Sequence, residues 1–109
     1  MPNGFSVREG SLFCEAVSAD SLAQRFATPL YVYSQTAITD AFAEWTDAFG
    51  GADHLICFAV KANSNIAILK LLASLGSGFD IVSGGELRRV LAAGGDAGKV
   101  VFSGVGKSA

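Results

Sequence analysis

The chain has 109 residues, half of them hydrophobic and 17% charged, with a net charge of −2 at pH 7. That apolar content excludes an intrinsically disordered chain, and the length allows one small core. Eight basic residues stand against ten acidic ones, with no cationic run longer than Arg88-Arg89, which excludes a nucleic-acid or anionic-membrane surface.

The opening residues lack the charged-then-apolar pattern of a secretory signal. Ser11 to Val17 reads as a weak strand, and Val17 to Ala27 as a short helix capped by Ser18, with Leu22 and Phe26 inward. Thr28-Pro29 breaks the chain before Leu30-Tyr31-Val32-Tyr33, a β-branched and aromatic strand. Ser34 then caps a helix whose apolar face is Ile38, Ala41, Phe42, Trp45, Ala48 and Phe49, stopped by Gly50-Gly51. Leu55 to Val60 is a continuous apolar run, as in a strand covered on both faces. It is also the longest such run, far short of the ~20 residues of a membrane span. Asn65 caps a helix carrying Ile68, Leu69, Leu72 and Leu75, closed by Gly76. Phe79 to Val82 is a third strand, and Ser83-Gly84-Gly85-Glu86 has the capping-box form ahead of Leu87, Val90 and Leu91. Gly94-Gly95 ends that helix, and Val100-Val101-Phe102 is a fourth strand.

Strand centres recur every 20 to 26 residues, a βα repeat that predicts an α/β fold with a parallel sheet. Three such units and a lone strand are too few for a closed barrel, which takes ~250 residues. The chain is therefore expected to be the front of a larger protein. Two cysteines, Cys14 and Cys57, in apolar surroundings form no disulfide framework and suggest reduced core thiols in a soluble, cytoplasmic protein.

Alternation along the second strand puts Cys57, Ala59 and Lys61 on one face and Ile56, Phe58 and Val60 on the other. On the third strand Phe79 and Ile81 share the bulky face, which leaves Asp80 on the side of Lys61, one strand spacing of ~4.8 Å away. A lysine at the carboxyl rim of a parallel barrel is where such folds place catalysis, and a neutral amine there forms Schiff bases. From spacing alone, Lys61 also reads as a charge at a strand's exit into water. Asp80 also reads as a turn or strand-start carboxylate, and Glu86 as a capping-box residue. Gly104-Val105-Gly106-Lys107-Ser108 lacks the first glycine of a phosphate-binding loop, since position 101 is valine. Gly76-x-Gly78 precedes a strand rather than a helix, unlike a dinucleotide fingerprint. The single histidine, His54, and the dispersed cysteines support neither a Ser-His-Asp triad nor a metal site.

Phe58-Ala59-Val60-Lys61-Ala62-Asn63 resembles the Y-A-V-K-A-N motif of the fold-type III pyridoxal-phosphate enzymes, with phenylalanine for the usual tyrosine. Gly78 to Leu87 and Phe102 to Ser108 are similar to two further blocks of that family, in order and at consistent spacing. Thr28 to Ser34 is most similar to its diaminopimelate decarboxylase branch. The resemblance covers residues 11–109. It implies an eight-stranded (β/α)8 barrel of the alanine racemase type, incomplete here at about four strands and three helices. Residues 1–28 would pack on a separate β-domain, and residues 29–109 would form the first βα units. It implies pyridoxal 5'-phosphate as cofactor, with Lys61 and Asp80 catalytic and with Lys61, Ala59, Asp80, Ser83 and Glu86 around the cofactor, and no metal. The activity implied is decarboxylation of meso-2,6-diaminopimelate at its D-centre to L-lysine and CO2. Arginine or ornithine decarboxylation, amino-acid racemisation and non-catalytic pyridoxal binding on the same barrel are the alternatives. A homodimeric full-length enzyme acting on a small amino acid is expected, with the 109 residues alone inactive and not stably folded.

Overall fold

Glu9 and Gly10 both adopt positive φ, 51° and 80°, and so form the two-residue turn whose twist matches a right-twisted hairpin. The turn joins β1 (Phe5–Arg8) to β2 (Ser11–Cys14), paired antiparallel from Phe5↔Cys14 to Arg8↔Ser11. A second turn at Glu15-Ala16 adds β3 (Val17–Ser18), giving the order β1-β2-β3. The computed structural model describes residues 4–104, and the chain divides into two units, Met1–Glu44 and Trp45–Ala109.

In the first unit, Ser18 Oγ accepts from Ser21 N at 3.1 Å and caps α1 (Ala19–Phe26). The buried Ser34 hydroxyl accepts from Ala37 N at 3.1 Å and opens α2 (Gln35–Phe49). Glu15 ties the β2–β3 turn to that helix start. Its Oε2 accepts from Ser34 Oγ at 3.1 Å and Thr36 N at 3.3 Å, and its Oε1 from Thr36 Oγ1 at 3.1 Å. These bonds favour the ionised form, so the Glu15 carboxyl titrates below its ordinary range, the Thr36 N–H being the largest cause.

The second unit holds β4 (Cys57–Ala59), α3 (Ile66–Ser74), β5 (Gly78–Ile81), α4 (Gly84–Ala92) and β6 (Val100–Phe102). Its three strands are parallel in the order β4-β5-β6, so spatial neighbours are sequence neighbours. The register pairs Phe58 with Phe79 and Ile81 with Phe102, which puts these side chains on one face. Phe79 and Ile81 are buried there together with Val60, Leu69 and Leu72 of the first βα unit and Val90 and Ala93 of the second. Each large apolar side chain so buried contributes about 1.5–3 kcal/mol. α3 packs on α4, and α4 on β5. Asn65 caps α3, its Oδ1 accepting from Ala67 N at 2.9 Å.

Several expectations are corrected. Leu30–Tyr33 is not a strand: it has no ladder partner among the described residues, and Tyr31 is 86% exposed. A strand exists only where its backbone groups find a neighbour, so the parallel sheet has three strands rather than four. The weak strand at Ser11 to Val17 is interrupted by the turn at Glu15-Ala16, and β1 had no strong sequence signal. Phe26 is exposed rather than inward, and no described residue of α2 is fully buried: Ile38 and Phe42 are half-buried and Trp45 is 62% exposed. The strand read as Leu55 to Val60 shortens to Cys57–Ala59 because Val60 begins a 3-10 turn. Cys14 and Cys57 are free thiols, half-buried rather than in the core.

Candidate functional site

Polar chemistry gathers at the carboxyl ends of β4, β5 and β6. β4 stops at Ala59, and Val60, fully buried, starts the 3-10 turn Val60–Ala62, closed by Asn63 N donating to Val60 O at 3.0 Å. Lys61 sits exposed in the middle of that turn. Strand alternation therefore does not set its direction, and the expectation that it continues the Cys57–Ala59 face is corrected. The segment after it is framed from both sides. Asn63 Oδ1 accepts from Asn65 N at 3.0 Å, and Arg89 Nη1 donates to Ser64 O at 3.2 Å.

Ala59 and Asp80 are register partners, and Asp80 pairs onward with Val101. Cys57, Ala59 and Asp80 therefore share the sheet face opposite the helices. Gly78 completes that face without a side chain: a Cβ there would lie 2.8 Å from Cys57 Sγ. Burial pushes the Cys57 thiol above its ordinary range, and the nearby Asp80 charge pushes it further. Asp80 does not pair with Lys61. Its Oδ1 accepts from Ser103 Oγ at 2.5 Å, across the ladder on the β6 side.

Ser83 and Glu86 stand where β5 passes into α4. Ser83 Oγ accepts from Glu86 N at 3.2 Å and caps the helix. Glu86 Oε1 accepts from Val82 N at 3.0 Å, one residue before the donor of a capping box. A Cβ at Gly84 would meet nothing within 4 Å, so the space above this helix start is open. Ala59, Lys61, Asp80, Ser83 and Glu86 all lie at the carboxyl edge of β4 and β5, while hydrogen bonds join Ser83 to Glu86 and Asp80 to a residue the sequence reading had not singled out. That residue, Ser103, was open to detection: it lies two positions beyond Val101 and so returns to the Asp80 face.

His54 makes local contacts: Nδ1 lies 2.8 Å from Ala52 O and the ring stacks on Phe49 at 4.7 Å. Among the described residues there is no metal-ligand cluster, and no helix is long and apolar enough to cross a membrane. The Gly104–Ser108 motif lies outside the described residues from Val105 onward.

A family model described as pyridoxal-dependent decarboxylase, pyridoxal binding domain, matches residues 35–109. The chain is 65% identical over 98 residues to a diaminopimelate decarboxylase of Neisseria meningitidis serogroup B, covering 90% of this chain and 24% of that protein. It is 58% identical over 106 residues to that of Pseudomonas fluorescens, covering 97% and 26%. Among solved structures, diaminopimelate decarboxylase from M. jannaschii superposes with a TM-score of 0.90 at 37% identity, over 94% of this chain and 25% of that one. The Helicobacter pylori enzyme complexed with L-lysine gives 0.77 at 52% identity, over 82% and 23%. The chain thus spans about a quarter of the length of the curated relatives it matches.

Proposed function

We propose, for a chain that belongs to the pyridoxal-dependent decarboxylases by its pyridoxal-binding domain, that it supplies the lysine-bearing part of an enzyme converting meso-2,6-diaminopimelate to L-lysine and CO2. The observation that carries the reading is the exposed Lys61 amine on the turn after β4, at the carboxyl edge of a parallel sheet and two residues past Ala59, the register partner of Asp80. An aldehyde cofactor needs a reachable primary amine and room beside it. Lys61 is exposed, its neighbours Ala59 and Ala62 are small, and the start of α4 at Gly84 is open, so the residues present fit pyridoxal phosphate. Lys61 would hold it through Nζ, with Ala59, Asp80, Ser83 and Glu86 around it.

When bound, the cofactor supplies an electron sink for the pair left behind as carboxylate departs as CO2. The chain's own residues bind and orient. Lys61 Nζ, when neutral, would be the nucleophile that holds the aldehyde and, when free, a group able to carry a proton. Buried Val60 anchors the turn that presents it. The Cys57 thiol, kept protonated by burial and by Asp80, does not compete with the amine for an aldehyde. Ser83 and Glu86 fix the start of α4 through the cap and the Val82 N–H.

The three parallel strands in sequence order fit one part of an eight-stranded barrel of the alanine racemase type. Residues 1–28 are assigned to a β-domain contact, and the full-length enzyme to a homodimer. Free Cys14 and Cys57 suit a reducing cytoplasm. Borohydride reduction of the holoenzyme followed by peptide mapping is expected to place the pyridoxyl group on Lys61. A label on Lys70 or Lys99 instead overturns the reading, and turnover of ornithine or arginine without meso-diaminopimelate reassigns the substrate.

A further inference from the structure

Resting on the reading of Lys61 as the cofactor-holding lysine, we propose that Ser103 is a positioning residue: its hydroxyl holds the Asp80 carboxylate toward β6 and so keeps it off the Lys61 amine. The sheet fixes the hydroxyl's place. Ser103 N donates to Ile81 O at 2.9 Å, extending the β5–β6 ladder past Phe102, and Ser103 Oγ donates to Asp80 Oδ1 at 2.5 Å. The opposite neighbour of β5 is β4, which brings Ala59 into register with Asp80 and Lys61 two residues beyond. Lys61 stands on the 3-10 turn past Ala59, and its flexible four-carbon stem is long enough against the ~4.8 Å between adjacent strands for the amine to swing to a carboxylate on β5.

Two partners therefore compete for one carboxylate, a neutral donor on β6 and a cation after β4. The other ionisable groups nearby do not interfere. The Cys57 thiol is held protonated, and Glu86 is committed to the Val82 N–H at the start of α4. An ammonium paired with a carboxylate is favoured in its charged form, and the charged form cannot attack an aldehyde. With Ser103 in place Asp80 is engaged on the β6 side. Without that donor the carboxylate is free to swing toward Lys61, and the amine becomes less available. The hydroxyl thus serves the amine through the carboxylate and has no need to touch cofactor or substrate.

The test reads the amine itself in the full chain without cofactor. Trace acetylation with acetic anhydride at neutral pH, followed by peptide mass analysis, measures Lys61 against Lys70 in the same sample. Ser103→Ala is expected to slow Lys61 labelling by about two- to fivefold, the range of a partly exposed ion pair. Ser103→Thr, which keeps the hydroxyl, restores it. Ser103→Ala combined with Asp80→Asn also restores it, because no carboxylate remains to occupy the amine. Wild-type labelling in Ser103→Ala overturns the proposal. So does a double variant as slow as Ser103→Ala, which assigns the loss to distortion of the sheet end. Because no cofactor is present, a pyridoxyl label found elsewhere than Lys61 in the holoenzyme would defeat the functional reading without changing these rates.

Discussion

Gly78→Ala tests the close packing beneath the site. Gly78 is buried at the start of β5, and an added Cβ would lie 2.6 Å from Lys99 O, 2.8 Å from Cys57 Sγ and 3.2 Å from Leu55 Cδ2. Carbon contacts are optimal near about 3.5–4.0 Å, so β5 must move by roughly half an ångström or more. The cysteine and leucine side chains can turn away. The Lys99 carbonyl cannot, because its residue is fixed by the 3-10 turn Ala97–Lys99 and by the strand that follows. The movement passes directly to Phe79, which is fully buried on the other face. Overpacking of this kind costs about 1–3 kcal/mol, offset by about 0.4–1 kcal/mol from the stiffer unfolded chain. The net expectation is a loss of up to about 2.6 kcal/mol, centred near about 1.3 kcal/mol. Gly84→Ala is the control: nothing lies within 4 Å of its Cβ, and a helical alanine there is expected to add about 0.4–1 kcal/mol. Urea unfolding of the full-length variants, compared at equal m-value, measures both. A Gly78→Ala protein as stable as Gly84→Ala would refute the packing argument.

Three other substitutions address the charged groups. The Glu15 carboxyl is held low by Thr36 and Ser34, so its contribution is present above the ordinary glutamate value of about 4.3 and lost as pH falls through the lower folded value. Thermal unfolding of Glu15→Gln against pH is expected to lack that acid-side loss, converging with wild type at low pH; parallel curves would remove Glu15 from the account. Asp80→Asn removes one of the two causes that raise the Cys57 thiol, while burial remains. Its alkylation by iodoacetamide at mildly alkaline pH is expected to quicken by about two- to fivefold, since the thiolate is the nucleophile, and an unchanged rate would place the carboxylate away from Cys57. Glu86→Gln keeps an acceptor for Val82 N and is expected to cost about 1 kcal/mol or less; a large activity loss at unchanged stability would move Glu86 into direct contact with the reacting groups.

Features governed by a few neighbouring residues were legible before any coordinates. Ser18, Ser34, Asn65 and Ser83 cap the helices assigned to them, because a cap needs only a side-chain oxygen and an N–H two or three residues on. The alternation from Leu55 to Phe102 gave parallel strands and helices in the right order. Errors fell where pattern had to be extrapolated. Lys61 was assigned a strand face, but Val60 turns inward and ends the strand one residue earlier. Tyr31 and Tyr33 have strong strand propensity and no ladder to join among the described residues.

What the sequence alone determined is therefore the βα rhythm, the helix starts and the lysine motif, but not the turn that presents the lysine. The tertiary structure decided which groups meet. The Ser103 hydroxyl and the Asp80 carboxylate come from positions 23 residues apart and are brought together by the β5–β6 register. Local preference cannot choose that partner, because a strand specifies which face a side chain takes but not which neighbour lies beside it until the ladder has formed.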